Sequence, residues 1–391
     1  MGYSLYMAEN AWTESELGLL REAAEGRTKS WPDIASELFP GRTGDQVRRR
    51  AHHLERELAA EGIASPVEKA KAELLRKQVL QSERAAHQGQ ARYELLIDAI
   101  KTAITPLDFY TQPCNLNDRS ADCKEEIAVL VLSDLHVGKK TRWYDLKEAE
   151  KRLTNIVDKT LEIVNLHRNS YAIRELRILW VGDIVDGEQI YATQAHHIDG
   201  PILNQIFGFM PVMVGQLSRL AQAFDLVRCH TVPGNHGRVG KKGDNVHESS
   251  NWDNVCYEVM RYATANMKNV EWDVSPDWYN MVKIADQTVL MYHGHQIKMT
   301  MNLPWYGVTT RVSRWAGTNR LKDFDIAVQG HFHTSSCLRW GNKTIFTNGT
   351  VVEGDEFALE VIGLESSQAQ WLWGVRQGTG LTWQYELRPN E

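Results

Sequence analysis

Residues 127–136 read IAVLVLSDLH, an apolar run that ends in a polar cluster containing Asp134 and His136. A continuous apolar run of this length is typical of a strand buried on both faces, as in parallel sheets. A carboxylate and an imidazole that follow such a strand lie at the carboxyl edge of the sheet, where α/β proteins bind their ligands. This stretch therefore predicts an α/β fold with a polar site at one sheet edge.

The same pattern recurs along the chain. Apolar runs at residues 178–181, 226–232, 289–292 and 326–328 are each followed closely by a short polar cluster. These clusters read GDIVD at 182–186, GNH at 234–236, HGH at 293–295 and GHFH at 330–333. Residues 146–166 carry apolar side chains at helical spacing and, with residues 201–224 and 252–267, predict the helical crossovers between strands.

The clusters combine carboxylate, imidazole and amide side chains, and none of them contains a cysteine. Such donors suit divalent ions such as Mn²⁺, Fe²⁺ or Zn²⁺ with open coordination positions. Two ions roughly 3.5–4 Å apart can hold the attacking and leaving oxygens of a phosphoryl displacement. The clusters carry enough donors for a dinuclear site of this kind.

In this order the motifs D-x-H, GD-x-x-D, GNH, a strand-end His and GH-x-H resemble the calcineurin-like metallophosphoesterase superfamily over residues 126–352. The resemblance implies a two-sheet sandwich flanked by helices, with the metal site at one sheet edge. It implies two divalent ions, of which Mn²⁺ is the first expectation and Fe, Zn and Mg are the alternatives. The implied ligands are Asp134, His136 and His333 for one ion, Asn235, His293 and His331 for the other, and Asp183 as the bridge.

The resemblance assigns a catalytic role to His236, which would stabilise the phosphoryl oxygens or protonate the leaving group. Asp186 is expected to orient its loop or the surroundings of the bridging carboxylate, rather than to bind metal, as carboxylates around metal ligands commonly do. The family usually has an acidic residue after GNH, whereas Gly237 and Arg238 follow here. Arg238 is therefore a candidate phosphate contact or a surface arginine. His295 is expected either beside the metal ligands or at the surface.

Residues 9–57 carry the motifs W-T-x-x-E, W-x-x-I-A and G-R-T-x-x-Q-V-R-x-R. Thr13 and Glu16 predict a capping box at the start of a first helix, and Trp12 and Trp31 provide aromatic anchors for a small core. The pattern resembles a Myb/SANT helix-turn-helix repeat, whose third helix enters the DNA major groove. The DNA contacts implied by the resemblance are Arg42, Gln46, Arg48, Arg49, Arg50 and His53. A solvated charged helix face and a protein-binding module are the alternatives.

The predicted organisation is a Myb/SANT-like three-helix DNA-binding domain at residues 8–58, a helical linker at 59–125 and a metallophosphoesterase domain at 126–391. The linker could serve as a spacer, as a brace or as a helix pair that forms a homo-oligomer. Strands expected at 343–346, 357–362, 369–375 and 381–387 would complete the second sheet. Residues 305–321 interleave arginines with aromatic side chains, which suits a nucleic-acid groove or an amphipathic packing helix.

With 391 residues, 42% of them hydrophobic, the chain can bury one large core and a small second domain. Its net charge of -6 gives no general attraction to nucleic acid, so DNA binding would depend on local basic patches. The sequence has no run long and apolar enough for a membrane span and no signal-peptide pattern at residues 1–12, so we expect a cytoplasmic protein. The scattered cysteines are expected to be reduced thiols.

The metal motifs predict the reaction type but leave the substrate open. Residues 182–191 resemble the same stretch in the nuclease subunit of D-family DNA polymerases and in related double-strand-break nucleases. Together with the Myb-like segment, this favours a divalent-metal-dependent phosphodiesterase acting on DNA, such as a nuclease of a mobile element or phage. The alternatives are a phosphomonoesterase with a protein-docking N-terminal module and a non-catalytic DNA-binding accessory protein.

Overall fold

The computed structural model describes residues 12–25, 29–62, 77, 91, 94–100, 102, 124–190, 194–240, 250–299, 304–354, 366 and 368–390. The chain divides into two compact units, Met1–Ala85 and Ala86–Glu391. No helix within the described residues has both the length and the apolar character that crossing a membrane requires.

The first unit contains three helices, α1 (Glu14–Glu25), α2 (Trp31–Leu38) and α3 (Gly44–Gly62). The predicted capping box is present at α1, because the Glu16 amide donates to Thr13 Oγ1 at 3.2 Å and the Thr13 amide donates to Glu16 Oε2 at 2.8 Å. The core of this unit consists of Trp12, Leu20, Trp31, Ile34, Ala35, Phe39, Val47 and Ala51. The N-terminal helical region expected from the sequence is therefore present.

The second unit is a two-sheet sandwich with helices. Its helices are α4 (Leu146–His167), α5 (Ile202–Ala223), α6 (Trp252–Ala263) and α7 (Pro304–Ala316). Its strands are β1 (Glu125–Leu132), β2 (Ala172–Trp180), β3 (Leu226–Thr231), β4 (Val270–Val274), β5 (Tyr279–Ile284), β6 (Gln287–Tyr292), β7 (Ile326–Gln329), β8 (Ser336–Trp340), β9 (Lys343–Thr347), β10 (Gln370–Arg376) and β11 (Gly380–Leu387). The predicted mixed α/β fold is confirmed.

The two sheets have the strand orders β11-β10-β1-β2-β3-β4 and β5-β6-β7-β9-β8. Strands β1 to β4 are parallel to one another, and β6, β7 and β9 are parallel in the second sheet. One apolar cluster, which includes Val129, Val181, Val289 and Phe346, fills the space between the sheets. Because β1, β2, β3, β6 and β7 end at polar clusters, the sandwich brings these clusters together at one edge.

The prediction that the last two strands belong to the second sheet is wrong. Strands β10 and β11 extend the first sheet, where β10 pairs antiparallel with β1. Trp371 and Trp373 of β10 belong to the cluster between the sheets, whereas Leu372 belongs to the cluster under the helices. A strand that is apolar on both faces suits the otherwise open edge of β1, where its backbone groups complete the ladder. The strand expected at 357–362 lies outside the described residues.

Helix α7 packs on the second sheet through buried Val308, Val312 and Trp315. Arg311 donates to the Gln296 carbonyl at 3.1 Å. These contacts match the packing-helix interpretation of residues 305–321.

Of the predicted linker, α3 continues to Gly62, and residues 94–100 are helical with Ile100 buried in the core of the second unit. The other linker residues lie almost entirely outside the described part, so the linker's role stays a prediction. Among the cysteines, Cys229, Cys256 and Cys337 are free thiols. Cys114 and Cys123 lie outside the described residues.

Candidate metal centre

The predicted ligands form two groups of donor atoms at the common edge of the sheets. In the first group, donor atoms of Asp134, His136 and His333 lie within 4.8 Å of one another. His333 Nε2 is 3.3 Å from Asp134 Oδ1 and 3.0 Å from His136 Nε2. Asp134 and His136 are completely buried. Three convergent donors of this chemistry fit one divalent ion.

The second group consists of Asp183, His293 and His331, again with donor atoms within 4.8 Å of one another. His293 Nε2 lies 2.9 Å from Asp183 Oδ2, and its Nδ1 lies 2.7 Å from the Val181 carbonyl oxygen. Because a carbonyl oxygen only accepts, Nδ1 carries a hydrogen, and Nε2 is the atom that can bind a metal.

Asn235 also belongs to this region by its position beside Gly234. Its Oδ1 atom is buried and has no hydrogen-bond partner among the described residues. A buried amide oxygen without a partner is costly unless something else satisfies it. A cation would do so, and the predicted donor set therefore fits a metal ion at this position.

The backbone is strained at most of the predicted ligands. Left-handed φ angles of 44° to 71° occur at Asp134, His136, Asp183, His331 and His333. Among the described residues, Ala285 in the β5–β6 turn is the one other non-glycine with a positive φ. Such conformations cost about 1–3 kcal/mol each and persist where the surroundings hold them, commonly at functional sites. This concentration of strain points to the carboxyl edge as the functional part of the unit.

Two glycines let the loops approach closely. A Cβ atom at Gly330 would collide with the Asp134 carboxylate, and one at Gly234 would collide with Asp183. The Asp134 carboxylate also accepts hydrogen bonds from the His331 amide at 3.1 and 3.2 Å. Both glycines are needed because the loops meet with no room for a side chain between them.

Asp186 lies between two histidines. Its Oδ1 atom is 3.0 Å from His136 Nδ1 and 3.3 Å from His236 Nδ1. Burial alone would raise the pKa of the Asp186 carboxyl, but the hydrogen bonds from both histidines outweigh burial and hold that pKa well below its ordinary value. Asp186 therefore orients both rings, with the Nε2 atom of His136 directed toward His333.

His236 lies beside the first group, with its ring centroid 4.5 Å from that of His136. Its Nδ1 atom is 3.0 Å from the Asp186 carbonyl oxygen, and its amide donates to Asp183 Oδ1 at 2.7 Å. Burial opposes the charged ring, but the carboxylates of Asp183 and Asp186 outweigh burial and raise the pKa of His236 to about 9. The ring is thus suited to carry a proton beside a negatively charged substrate.

The remaining candidates near the site differ in exposure. Arg238 is exposed, and its backbone forms a bridge with Asn251. His295 is half-buried, with its ring centroid 5.7 Å from that of His293. Burial, then the charges of His293 and Arg238, lower the pKa of His295 to about 3. His295 borders the second group, and Arg238 reaches the same neighbourhood from the solvent side.

Two buried amide side chains and one buried carboxylate support these loops without any signal in the sequence that predicts them. Gln194 Nε2 donates to the Asp186 carbonyl at 2.5 Å. The Gln205 side chain accepts from the Gly187 amide at 3.0 Å and donates to the Gly187 carbonyl at 3.1 Å. Asp253 accepts from backbone amides of two clusters. No motif marks these residues, since their role depends on contacts between distant parts of the chain.

In the first unit, the side chains predicted to contact DNA form hydrogen bonds or ion pairs with residues of the same unit. Arg42 is bonded to Glu16 at 2.9 Å and lies 4.1 Å from the Trp12 ring, so it supports the core of that unit. Gln46 caps α3 by accepting from the Thr43 amide at 2.8 Å.

The arginines of α3 are more exposed. Arg48 and Arg49 pair with Asp45 at 2.6 and 2.9 Å, and Arg50 contacts His53 at 3.1 Å. An open cavity of about 460 Å³ is lined by Trp12, Arg42, Gln46, Arg49, Arg50 and His53. Five of the candidates thus share one basic surface, whereas Arg48 lines a second open cavity together with Lys29 and Asp45.

The family profile described as calcineurin-like phosphoesterase matches residues 127–348. Among solved structures, the chain is similar to Vacuolar Protein Sorting 29 from Cryptosporidium parvum, at 14% identity and a TM-score of 0.36, covering 68% of this chain and 94% of that one. It is also similar to an archaeal phosphodiesterase, at 13% identity and a TM-score of 0.33, covering 66% and 99% of the two chains. A conserved uncharacterized protein from Streptococcus pneumoniae TIGR4 has 11% identity and a TM-score of 0.28, with 67% and 98% covered. No curated protein matches the chain.

Proposed function

The chain belongs to the calcineurin-like phosphoesterase family, and we propose that it hydrolyses phosphodiester bonds in DNA at a dinuclear metal site. Family membership implies a metal-dependent hydrolase of phosphoesters. The observation that carries the proposal is the meeting of two donor groups at one sheet edge, with His236 beside them.

In this proposal, each ion has its own set of side chains. Asp134, His136 and His333 would hold the first ion, Asn235, His293 and His331 would hold the second, and Asp183 would bridge them. Divalent ions held there supply positive charge that polarises the phosphoryl group and orients the attacking and leaving oxygens. Manganese is the expected metal, with iron, zinc and magnesium as alternatives.

His236 is the proposed catalytic residue. Because its Nδ1 atom faces the Asp186 carbonyl oxygen, Nδ1 carries a hydrogen and Nε2 is the atom that can reach the substrate. The neighbouring carboxylates of Asp183 and Asp186 raise the pKa of His236 to about 9, which favours the protonated ring. It can therefore donate a proton from Nε2 to the leaving oxygen or hydrogen-bond a phosphoryl oxygen.

Two features support DNA as the substrate. The basic surface of α3 offers exposed Arg48 and Arg49 for contacts to phosphates. A binding unit joined to a hydrolytic one raises the local concentration of substrate by tethering. The second feature is the resemblance of residues 182–191 to the same stretch in DNA nucleases. The structure describes residues 182–190 of this stretch, and Tyr191 lies outside the described residues.

We expect the protein to cleave DNA in the presence of Mn²⁺. The test uses end-labelled single-stranded and double-stranded DNA, circular DNA, and chromogenic phosphomonoester and phosphodiester substrates. Chelation should stop cleavage and Mn²⁺ should restore it, because the reaction depends on the bound ions. Preference for the monoester without DNA cleavage would identify a phosphatase. DNA binding without turnover in any metal would identify an accessory protein.

Replacing Arg48, Arg49 and Arg50 together with alanine is expected to weaken DNA binding and reduce its salt dependence. The slope of log Kd against log salt concentration should fall by about 1 for each DNA phosphate that the variant no longer neutralises. Fluorescence anisotropy with labelled duplex DNA measures both quantities. The control is Arg21→Ala, which removes an exposed charge from α1 of the same unit. An equal effect of the control would refute a specific role for α3.

A further inference from the structure

Asp253 lies in the first turn of α6, close after its N-cap residue Asn251. Its side chain is completely buried. The carboxylate accepts hydrogen bonds from four backbone amides, those of Asp183 at 2.8 Å, Gly234 at 2.8 Å, Ile184 at 2.9 Å and Val185 at 3.3 Å. One side chain thus connects the cluster after β2 with the cluster after β3.

The chemistry of this contact is specific for a carboxylate. An ionised carboxylate only accepts hydrogen bonds, and its two oxygens can receive all four amides at once. These amides belong to loops at the ends of strands, where the ladder no longer supplies acceptors. Without Asp253 they would be buried without their present acceptor, in loops that carry Asp183 and Asn235.

The same contact supports the strained backbone at Asp183. Asp183 has a φ of 52°, and its amide donates to Asp253 Oδ2 at 2.8 Å. Its own carboxylate accepts from the His236 amide at 2.7 Å. Asp253 therefore fixes the backbone of Asp183 and, through the Asp183 carboxylate, the backbone amide of His236.

The residue after the GNH motif makes room for this arrangement. A Cβ atom at Gly237 would collide with Asn251 Oδ1 and lie 2.9 Å from the Asp253 amide nitrogen. Asn251 in turn donates from Nδ2 to the Gly234 carbonyl at 2.8 Å and accepts from the Asp253 amide at 2.8 Å. The glycine thus lets the start of α6 approach both loops and bring in a carboxylate from elsewhere in the chain.

We propose that Asp253 is a positioning residue that fixes the bridging carboxylate of Asp183 relative to the second-ion ligand Asn235. The inference rests on the proposed function in taking these two side chains as metal ligands. Asp253 is not among the proposed ligands of either ion. It acts through the backbone of both loops, so its loss should loosen the site while leaving the ligands in the chain.

The test is Asp253→Asn, which keeps the size of the side chain but turns an NH₂ group toward amide donors. The Mn²⁺ affinity of the weaker site, measured by calorimetry without substrate, should fall about 10- to 100-fold, as for other residues that support metal ligands. Amide exchange at Asp183 and Gly234, measured by NMR, should become at least tenfold faster. With bis(p-nitrophenyl) phosphate and saturating Mn²⁺, kcat should fall about tenfold or more while KM stays within twofold.

Thr264→Val at the opposite end of α6 is the matched control. The Thr264 hydroxyl is buried and bonds the Met260 carbonyl at 2.8 Å, and it accepts from Trp272 Nε1 at 3.0 Å, away from both loops. This variant should lower the melting temperature without changing Mn²⁺ affinity. If Asp253→Asn behaves in the same way, the positioning role is overturned.

If Asp253→Asn does not fold, Asp253→Glu replaces it as the test. That change keeps the charge but moves the carboxylate by one methylene relative to the four amides, and it should lower Mn²⁺ affinity several-fold. Unchanged affinity would overturn the inference. A wild-type protein that binds Mn²⁺ but hydrolyses no phosphoester would defeat the proposed function, whereas the Mn²⁺ and amide-exchange results would still decide the role of Asp253.

Discussion

Asp134→Ala is expected to lower kcat for phosphodiester cleavage by about 10³-fold or more. The Asp134 carboxylate is completely buried and lies 3.3 Å from the ring of His333, within the first donor group. Bound metal contributes several kcal/mol of charge stabilisation in the transition state, and each 1.36 kcal/mol corresponds to about tenfold in rate. Single-turnover cleavage of labelled DNA at saturating Mn²⁺ measures the loss.

The same variant should lose metal in a direct measurement. Calorimetric titration with Mn²⁺ should show one strong site fewer than in the wild-type protein, because two histidines without the carboxylate form an incomplete site. Glu126→Ala is the matched control, since Glu126 is a buried carboxylate on β1 that accepts from Trp383 Nε1 at 2.9 Å. Full activity of Asp134→Ala would overturn the assignment of the first donor group.

His236→Ala is expected to lower kcat by about 10²–10⁴-fold, the usual contribution of general acid catalysis. In contrast to Asp134→Ala, it should retain both ions, because His236 is not among the proposed ligands. This combination of retained Mn²⁺ binding and lost turnover distinguishes a catalytic residue from a ligand.

The pH dependence follows from the raised pKa of His236. The protonated ring predominates below about pH 9 and is lost as the pH rises through that value. Bound cations disfavour a charged ring, so the alkaline limb of the pH profile of kcat should lie at or below about pH 9 in the loaded enzyme. His236→Ala should lack this limb.

His230→Ala is the matched control for this variant. His230 is also buried and is bonded to a carboxylate, with Nδ1 2.9 Å from Asp273 Oδ2, but it lies on β3 away from the donor groups. Its replacement should cost stability and leave the alkaline limb in place. An equal loss of kcat in both histidine variants would show that the effect of His236→Ala is a folding defect.

Local patterns in the sequence were enough to predict much of this protein. Apolar runs marked the strands, and the polar residues after them marked the edge where Asp134, Asp183 and His293 meet. The capping box of Thr13 and Glu16 was likewise visible, because its partners lie three positions apart. Such features depend on the period of a strand or on one helical turn, and both are properties of the chain itself.

Contacts between distant parts of the chain were decided by the tertiary structure alone. Asp253 is separated by 70 positions from Asp183, and β10 pairs with β1 from the far end of the chain. Arg42 carries the charge expected of a DNA contact, yet it is bonded to Glu16 within its own unit. The spacing of residues along the chain does not predict such contacts, because they depend on which backbone donors and strand edges lack partners once the chain has folded. The sequence by itself determined which groups reach the sheet edge, and the folded structure decided what holds them there.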